Sequence, residues 1–118
     1  MPHFIIDCSE NIVSLKSPQE IMQYVYDAAE STELFDPGDI KVRINPFKYY
    51  NIGNSTNDFV HIFANIMEGR TVHQKALLSK TLVTKLKQMF PEVPILSMNI
   101  RDFEEATYFN KSMIKKDD

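Results

Sequence analysis

"FVHIFANIMEGRTVHQ", residues 59–74, changes its periodicity partway through. Aromatic and β-branched residues fill 59–67, a run long enough for a strand, and Glu68-Gly69-Arg70 reads as a turn. Thr71 and Gln74 then stand at capping-box spacing, so a helix is expected from 72 to about 90, where Pro91 ends it. Its apolar positions are Val72, Ala76, Leu77, Leu82, Val83, Leu86 and Met89. "VPILSMNI", residues 93–100, comes next as another strand.

The same order occurs upstream. "HFIIDC", residues 3–8, reads as a strand, and Ser17-Pro18-Gln19-Glu20 combines a cap, a first-turn proline and a capping-box glutamate. The helix so opened is expected over 18 to about 33, with Ile21, Met22, Val25, Ala28 and Ala29 on its buried face. "FDPGD" breaks the chain, and "IKVRIN", residues 40–45, alternates Ile40, Val42 and Ile44 with Lys41, Arg43 and Asn45. Residues 46–57 read as a loop carrying Phe47, Tyr49 and Tyr50, which either line a pocket or pack at a subunit boundary.

Strand, capped helix, strand, repeated at a spacing of roughly 55 residues, is a duplicated β-α-β unit. The expected fold class is α/β: a four-stranded sheet with two helices on one face and parallel pairing within each unit. One domain over 1–118 is expected, with units at about 2–45 and 58–102 and a C-terminal tail at 103–118. The other sheet face lacks a cover, and large apolar residues on both sides of 3–6 and 59–67 predict its burial in a closed oligomer.

Thirteen basic and sixteen acidic side chains give a formal charge of −3, with Lys115-Lys116 as the one short cationic run. That distribution argues against nucleic acid, whose phosphates need clustered cations. No long apolar run or signal pattern suggests a membrane, so a cytoplasmic protein is expected. Cys8, the single cysteine, cannot form an internal disulfide and reads as a buried, inert thiol. His3, His61 and His73 have no zinc-ligand spacing, His73 falls in a solvated first turn, and no metal is expected.

Pro2 raises a chemical question. Removal of Met1, usual before proline, leaves a free secondary amine that can act as a base; otherwise Pro2 is an ordinary second residue before a strand. Arg43 is either a site cation or a solvent-facing strand residue, and Arg70 either a site cation or a turn residue.

"PHFIIDCSENI", "FDPGDIKVR", "FVHIFANIMEGRTVHQKALLSK" and "NIRDFEEATYFNKS" together resemble the tautomerase superfamily, and within it the 5-carboxymethyl-2-hydroxymuconate Δ-isomerase family, over nearly the whole chain. The resemblance implies a homotrimer with sites near subunit boundaries, no cofactor and no metal. It implies that Pro2 is the catalytic base and that Arg43 and Arg70 are catalytic and substrate-binding cations. Lys41 falls where close relatives carry arginine and would supply substrate-binding charge without the planar fork. The implied activity is isomerisation of an unsaturated 2-hydroxy or 2-oxo di- or tricarboxylate in aromatic-compound degradation. The rival expectation is a trimer that binds an anionic ligand or protein partner without turnover.

Overall fold

The structure, a computed structural model, describes residues 1–115. In chain order it contains β1 (His3–Ser9), α1 (Ile12–Leu15), α2 (Pro18–Ser31), β2 (Lys41–Phe47), β3 (Phe59–Met67), α3 (Val72–Met89) and β4 (Ile95–Phe103), with three short 3₁₀ turns. Sheet order is β2-β1-β3-β4. β1 pairs with β2 in parallel and β3 with β4 in parallel, while β1 and β3 run antiparallel. Two β-α-β units therefore lie side by side, joined through their first strands.

Both long helices start where their caps place them. Ser17 Oγ accepts the Glu20 amide hydrogen at 3.2 Å, with Pro18 at the first helical position. Glu20 does not complete the expected box: its Oε1 accepts from the Ser17 hydroxyl at 3.2 Å. The full reciprocal pair belongs to α3, where Thr71 Oγ1 accepts from Gln74 N at 3.1 Å and Gln74 Oε1 accepts from Thr71 N at 2.9 Å.

Alternate residues of β1 and β3 face the helices, and Phe4, Ile6, Cys8, Val60, Ile62, Ala64 and Ile66 are fully buried. Against them α2 places Ile21, Val25, Ala28 and Ala29. In α3 the buried stripe is Leu78, Leu82 and Leu86: Leu82 and Leu86 lie where the sequence predicts, while Leu78 is buried in place of Leu77. Val72 and Leu77 are 79% and 51% exposed and Ala76 is also exposed, because a stripe at i, i+4, i+8 fits the sheet and the neighbouring stripe then turns outward.

Two strands are longer than their sequence pattern suggests. β2 runs through Pro46 to Phe47, which is possible because β2 is an edge strand and the missing amide faces no partner strand. β4 starts after Pro94 and continues to Phe103, in register with Met67. Ser9, a buried polar residue, is satisfied: its Oγ donates to Asp58 Oδ1 at 2.8 Å and accepts from Phe59 N at 3.2 Å. The uncovered face is mixed where an apolar one was expected, with Ile5, Phe63 and Met67 standing among His3, Asp7, Arg43, His61 and Asn99. His61 spans Ser97 Oγ and Asn99 Oδ1, each at 2.6 Å.

Leu82→Ala should destabilise the protein by about 2–5 kcal/mol, the range for emptying a packed leucine site. Thr71→Ala should cost about 1 kcal/mol, and Val72→Ala less than about 0.5 kcal/mol. Urea unfolding at one fixed protein concentration measures all three, and a Val72 cost equal to that of Leu82 would contradict the orientation of α3.

Candidate active site

The first residues of β1 lie at the end of the sheet where β3 leaves for α3. Pro2 is fully buried, and its carbonyl accepts the Lys41 amide hydrogen at 3.1 Å, an extension of the β1–β2 ladder. In this chain Met1 precedes it, so the free amine belongs to Met1 and the Pro2 nitrogen is an amide.

Charges converge on that amine. Burial is the largest influence and lowers its pKa from the ordinary terminal value; Asp39 opposes this, Arg70 and Lys41 add to it, and Asp36 opposes it. Lys41 Nζ donates to the Asp39 carbonyl at 3.0 Å and lies 3.7 Å from Met1 Sδ.

Arg70 is held from three sides. Its Nη2 donates to the Leu34 carbonyl at 2.8 Å, its Nη1 to the Met67 carbonyl at 3.3 Å, and its guanidinium lies 4.6 Å from the centroid of Phe35. Phe35 in turn meets Phe4 edge to face at 5.9 Å, so the cation is fixed to the core beneath β1. Gly69 makes this approach possible: its φ of 120° is a conformation that side chains rarely adopt. Arg70 thus holds the turn, and its charge is also felt at the amine.

Arg43 occupies a different position. It pairs in register with Ile5 on the uncovered face, and its Nη1 lies 3.1 Å from His3 Nδ1. Because guanidinium only donates, His3 Nδ1 must accept, which leaves the imidazole proton on Nε2. Burial first, then Arg43, Lys41 and the terminal ammonium, hold the His3 pKa below its ordinary value. The Met1 amine therefore lies within the electrostatic reach of His3, which links Arg43 to the cluster through one side chain.

The structure brings the charges of Lys41 and Arg70 within electrostatic reach of the amine and sets Arg43 beside His3. The sequence offered no sign of that His3 role beyond strand alternation. It offered none at all for Asn65, Phe103 and Tyr108, which line a cavity of about 240 Å³ with His3 and Arg43. Strand register brings His3, Arg43, Asn65 and Phe103 together, and the 3₁₀ turn Glu105–Thr107 that follows β4 adds Tyr108. Tyr50 packs on Phe59 at 5.2 Å and donates to the Thr56 carbonyl at 3.0 Å, while Phe47 and Tyr49 are exposed. Cys8 is buried and its pKa is raised to about 11, chiefly by burial and then by Asp7 and Asp58, so it is a protonated thiol at neutral pH. Among the described residues no group of three or more His, Cys, Asp or Glu side chains converges as a metal site, and no helix is long and apolar enough to cross a membrane.

A family model described as 5-carboxymethyl-2-hydroxymuconate isomerase matches residues 2–117. No curated protein sequence matches the chain. Among solved structures, a 5-carboxymethyl-2-hydroxymuconate isomerase from Deinococcus radiodurans R1 is similar at a TM-score of 0.80 and 24% identity, over 93% of this chain and 88% of that one. A 5-carboxymethyl-2-hydroxymuconate delta-isomerase is similar at 0.73 and 15% identity, over 93% and 86%. A fused 4-OT, described as an asymmetric trimer, is similar at 0.76 and 14% identity, over 92% of each chain. At these identities the likeness shows the fold.

Arg43→Gln should raise the His3 pKa towards its ordinary value, since it removes a neighbouring positive charge. A depressed imidazole pKa loses folding stability as pH falls through the folded-state value, so the same variant should soften that loss. NMR titration of the His3 ring checks the direction, and an unchanged or lower value would contradict the contact.

Proposed function

The chain belongs to the 5-carboxymethyl-2-hydroxymuconate isomerase family, and from that premise we propose that it is a cofactor-independent isomerase of an unsaturated 2-hydroxy or 2-oxo di- or tricarboxylate, such as 5-carboxymethyl-2-hydroxymuconate, with Pro2 as general base and then general acid. The observation that carries this reading is the partly buried amine at the start of β1, depressed by burial and by Arg70 and Lys41. Removal of Met1 transfers the amine to Pro2, which is more deeply buried, and the same two cations then act on it.

The chemistry needs one proton removed and returned at a different atom of a conjugated system. The Pro2 lone pair takes the proton, and the electrons of the broken C–H bond spread through the substrate as a dienolate. The resulting secondary ammonium gives the same proton back at the other carbon of the system, so proton and charge balance over the cycle. Lys41 and Arg70 stabilise the negative charge that grows between these steps. Arg70 suits this because its carbonyl and ring contacts fix it before substrate arrives. Arg43, farther along the same strand as Lys41, binds a second carboxylate.

The proposed assembly is a homotrimer, supported by the fused 4-OT relative described as a trimer and by the uncovered sheet face. The non-catalytic reading has one observation in its favour: with Met1 in place the Pro2 nitrogen is an amide, and the remaining cations could bind an anion without turnover.

Mass-verified protein without Met1 should isomerise a 2-hydroxymuconate-type dienol, and protein that retains Met1 should be slower by at least about a hundredfold, the scale of a general-base contribution. Equal rates would remove Pro2 from the chemistry. For the Met-free enzyme, kcat/KM should fall as pH drops through an amine pKa below that of free proline, because the protonated amine cannot accept a proton. Substrate ionisation is measured separately, and a fall only above the free-amine value would contradict the depressed base. Sedimentation equilibrium at micromolar concentration should give a trimer mass, and a stable monomer would refute the proposed assembly.

A further inference from the structure

The helix layer carries its charges sorted by helix. α2 holds Glu20, Asp27 and Glu30 with no lysine or arginine, and Glu33 follows its end. α3 holds Lys75, Lys80, Lys85 and Lys87 with no aspartate or glutamate. Glu20, Asp27, Glu30, Lys80 and Lys87 are exposed, so one outer surface is anionic along one helix and cationic along the next. The helices pack on the sheet face that carries Phe4, Ile6 and Ile62, so the proposed trimer contact on the uncovered face leaves this surface in water.

The opposite charges stand side by side without being paired. β1 and β3 run antiparallel, and each feeds a helix that returns to a parallel strand, so α2 and α3 run in opposite directions. The Tyr24 hydroxyl donates to Gln88 Oε1 at 3.3 Å, and a hollow of about 170 Å³ between the helices is lined by Tyr24, Asp27, Ala28, Ser31 and Lys85. These contacts set Asp27 level with Lys85, and the opposed run of the helices then sets Glu30 within one turn of Lys80. Among the described residues no ion pair joins the two helices: Lys75 is taken by Asp102 at 2.9 Å, and Lys80, Lys85 and Lys87 have no carboxylate at bonding distance. Glu20, Asp27 and Glu30 meet the neutral groups of Ser17, Gln23 and Tyr26, which leave their charge in place.

We propose that this helix layer docks on the helix layer of a second copy of the chain, about a twofold axis that runs between α2 and α3 and parallel to them. Such a rotation lays the acidic helix of each copy over the basic helix of the other, so the surface is complementary to itself. It also keeps each residue's height along the helices, which brings Asp27 of one copy over Lys85 and Lys87 of the other and Glu30 over Lys80. A partner of uniform charge would be attracted by one helix and repelled by its neighbour, whereas a second copy satisfies both. Exposed ion pairs are individually weak and are screened by salt, so the contact is reversible, forms well above micromolar concentration and responds steeply to ionic strength. It joins assemblies already formed through the uncovered face and does not depend on the isomerase reading.

Light scattering on the full-length protein at submillimolar concentration tests this, in about 0.01 M and about 1 M sodium chloride, where charges are felt over about 30 Å and about 3 Å. The average mass should rise above its micromolar value in the dilute salt and return to it in the concentrated one. Two double variants then decide the geometry. Lys80→Glu with Lys87→Glu makes both helices acidic, and Asp27→Lys with Glu30→Lys makes both basic, so each variant alone should associate at least about tenfold more weakly than the parent, as like charges now face each other. An equimolar mixture of the two should regain the high mass, because acidic layers then meet basic ones. Circular dichroism and the micromolar mass of each variant, both expected to match the parent, show that fold and the other assembly are intact. No rise in mass in dilute salt, association unchanged by either pair of reversals, or a mixture no heavier than its parts would each overturn the proposal.

Discussion

The antiparallel register between β1 and β3 is the constraint on which the rest of the molecule depends. It places Phe4 opposite Ala64 and Ile6 opposite Ile62, so one apolar layer spans both units under both helices. It also places His3 opposite Asn65, which brings the start of β1 to the end of β3. A slip of one residue would turn the buried set outward and carry His3 to the wrong face, so core burial and site geometry are enforced by the same pairing. Two β-α-β units without this pairing would each keep a sheet edge and an incomplete core.

That register sets an amine beside cations held by backbone. Arg70 comes from the turn after β3 and Lys41 from the first position of β2, yet both act on the chain start because β1 lies between those strands. The two cations differ in kind. Arg70 is fixed by carbonyls and by Phe35, so its charge is in place before any ligand binds and its loss would also loosen the turn. Lys41 has a single carbonyl contact and a flexible stem, and it offers a point charge where a fork would recognise carboxylate geometry. In the proposed isomerase, Arg70 is the fixed charge and Lys41 the adaptable one.

Acidic neighbours limit how far that tuning goes. Asp39 and Asp36 pull the amine towards its charged form while burial and the two cations push the other way. In the proposed reaction the amine has to serve both steps, accepting a proton and returning it. His3 experiences a simpler field, since burial, Arg43, Lys41 and the amine all disfavour its protonated form. It is therefore biased towards its neutral, hydrogen-bonding form.

The sequence by itself determined the repeated strand-helix-strand order, because capping residues such as Ser17, Thr71 and Gln74 and breakers such as Pro91 act through local hydrogen bonds and local sterics. It also marked Pro2, Lys41, Arg43 and Arg70 as the residues worth locating, through family resemblance and, for Pro2, through its place directly after Met1. Tertiary structure alone decided which stripe of α3 is buried, since Leu77 and Leu78 are equally apolar and only contact with the sheet separates them. It alone set Arg43 with His3 and Arg70 with Met1, and it alone gathered Asn65, Phe103 and Tyr108 into one cavity. Local signals report on residues a few positions apart, whereas His3, Arg43, Asn65 and the Phe103–Tyr108 pair come from distant parts of the chain and meet only once the two units share a register.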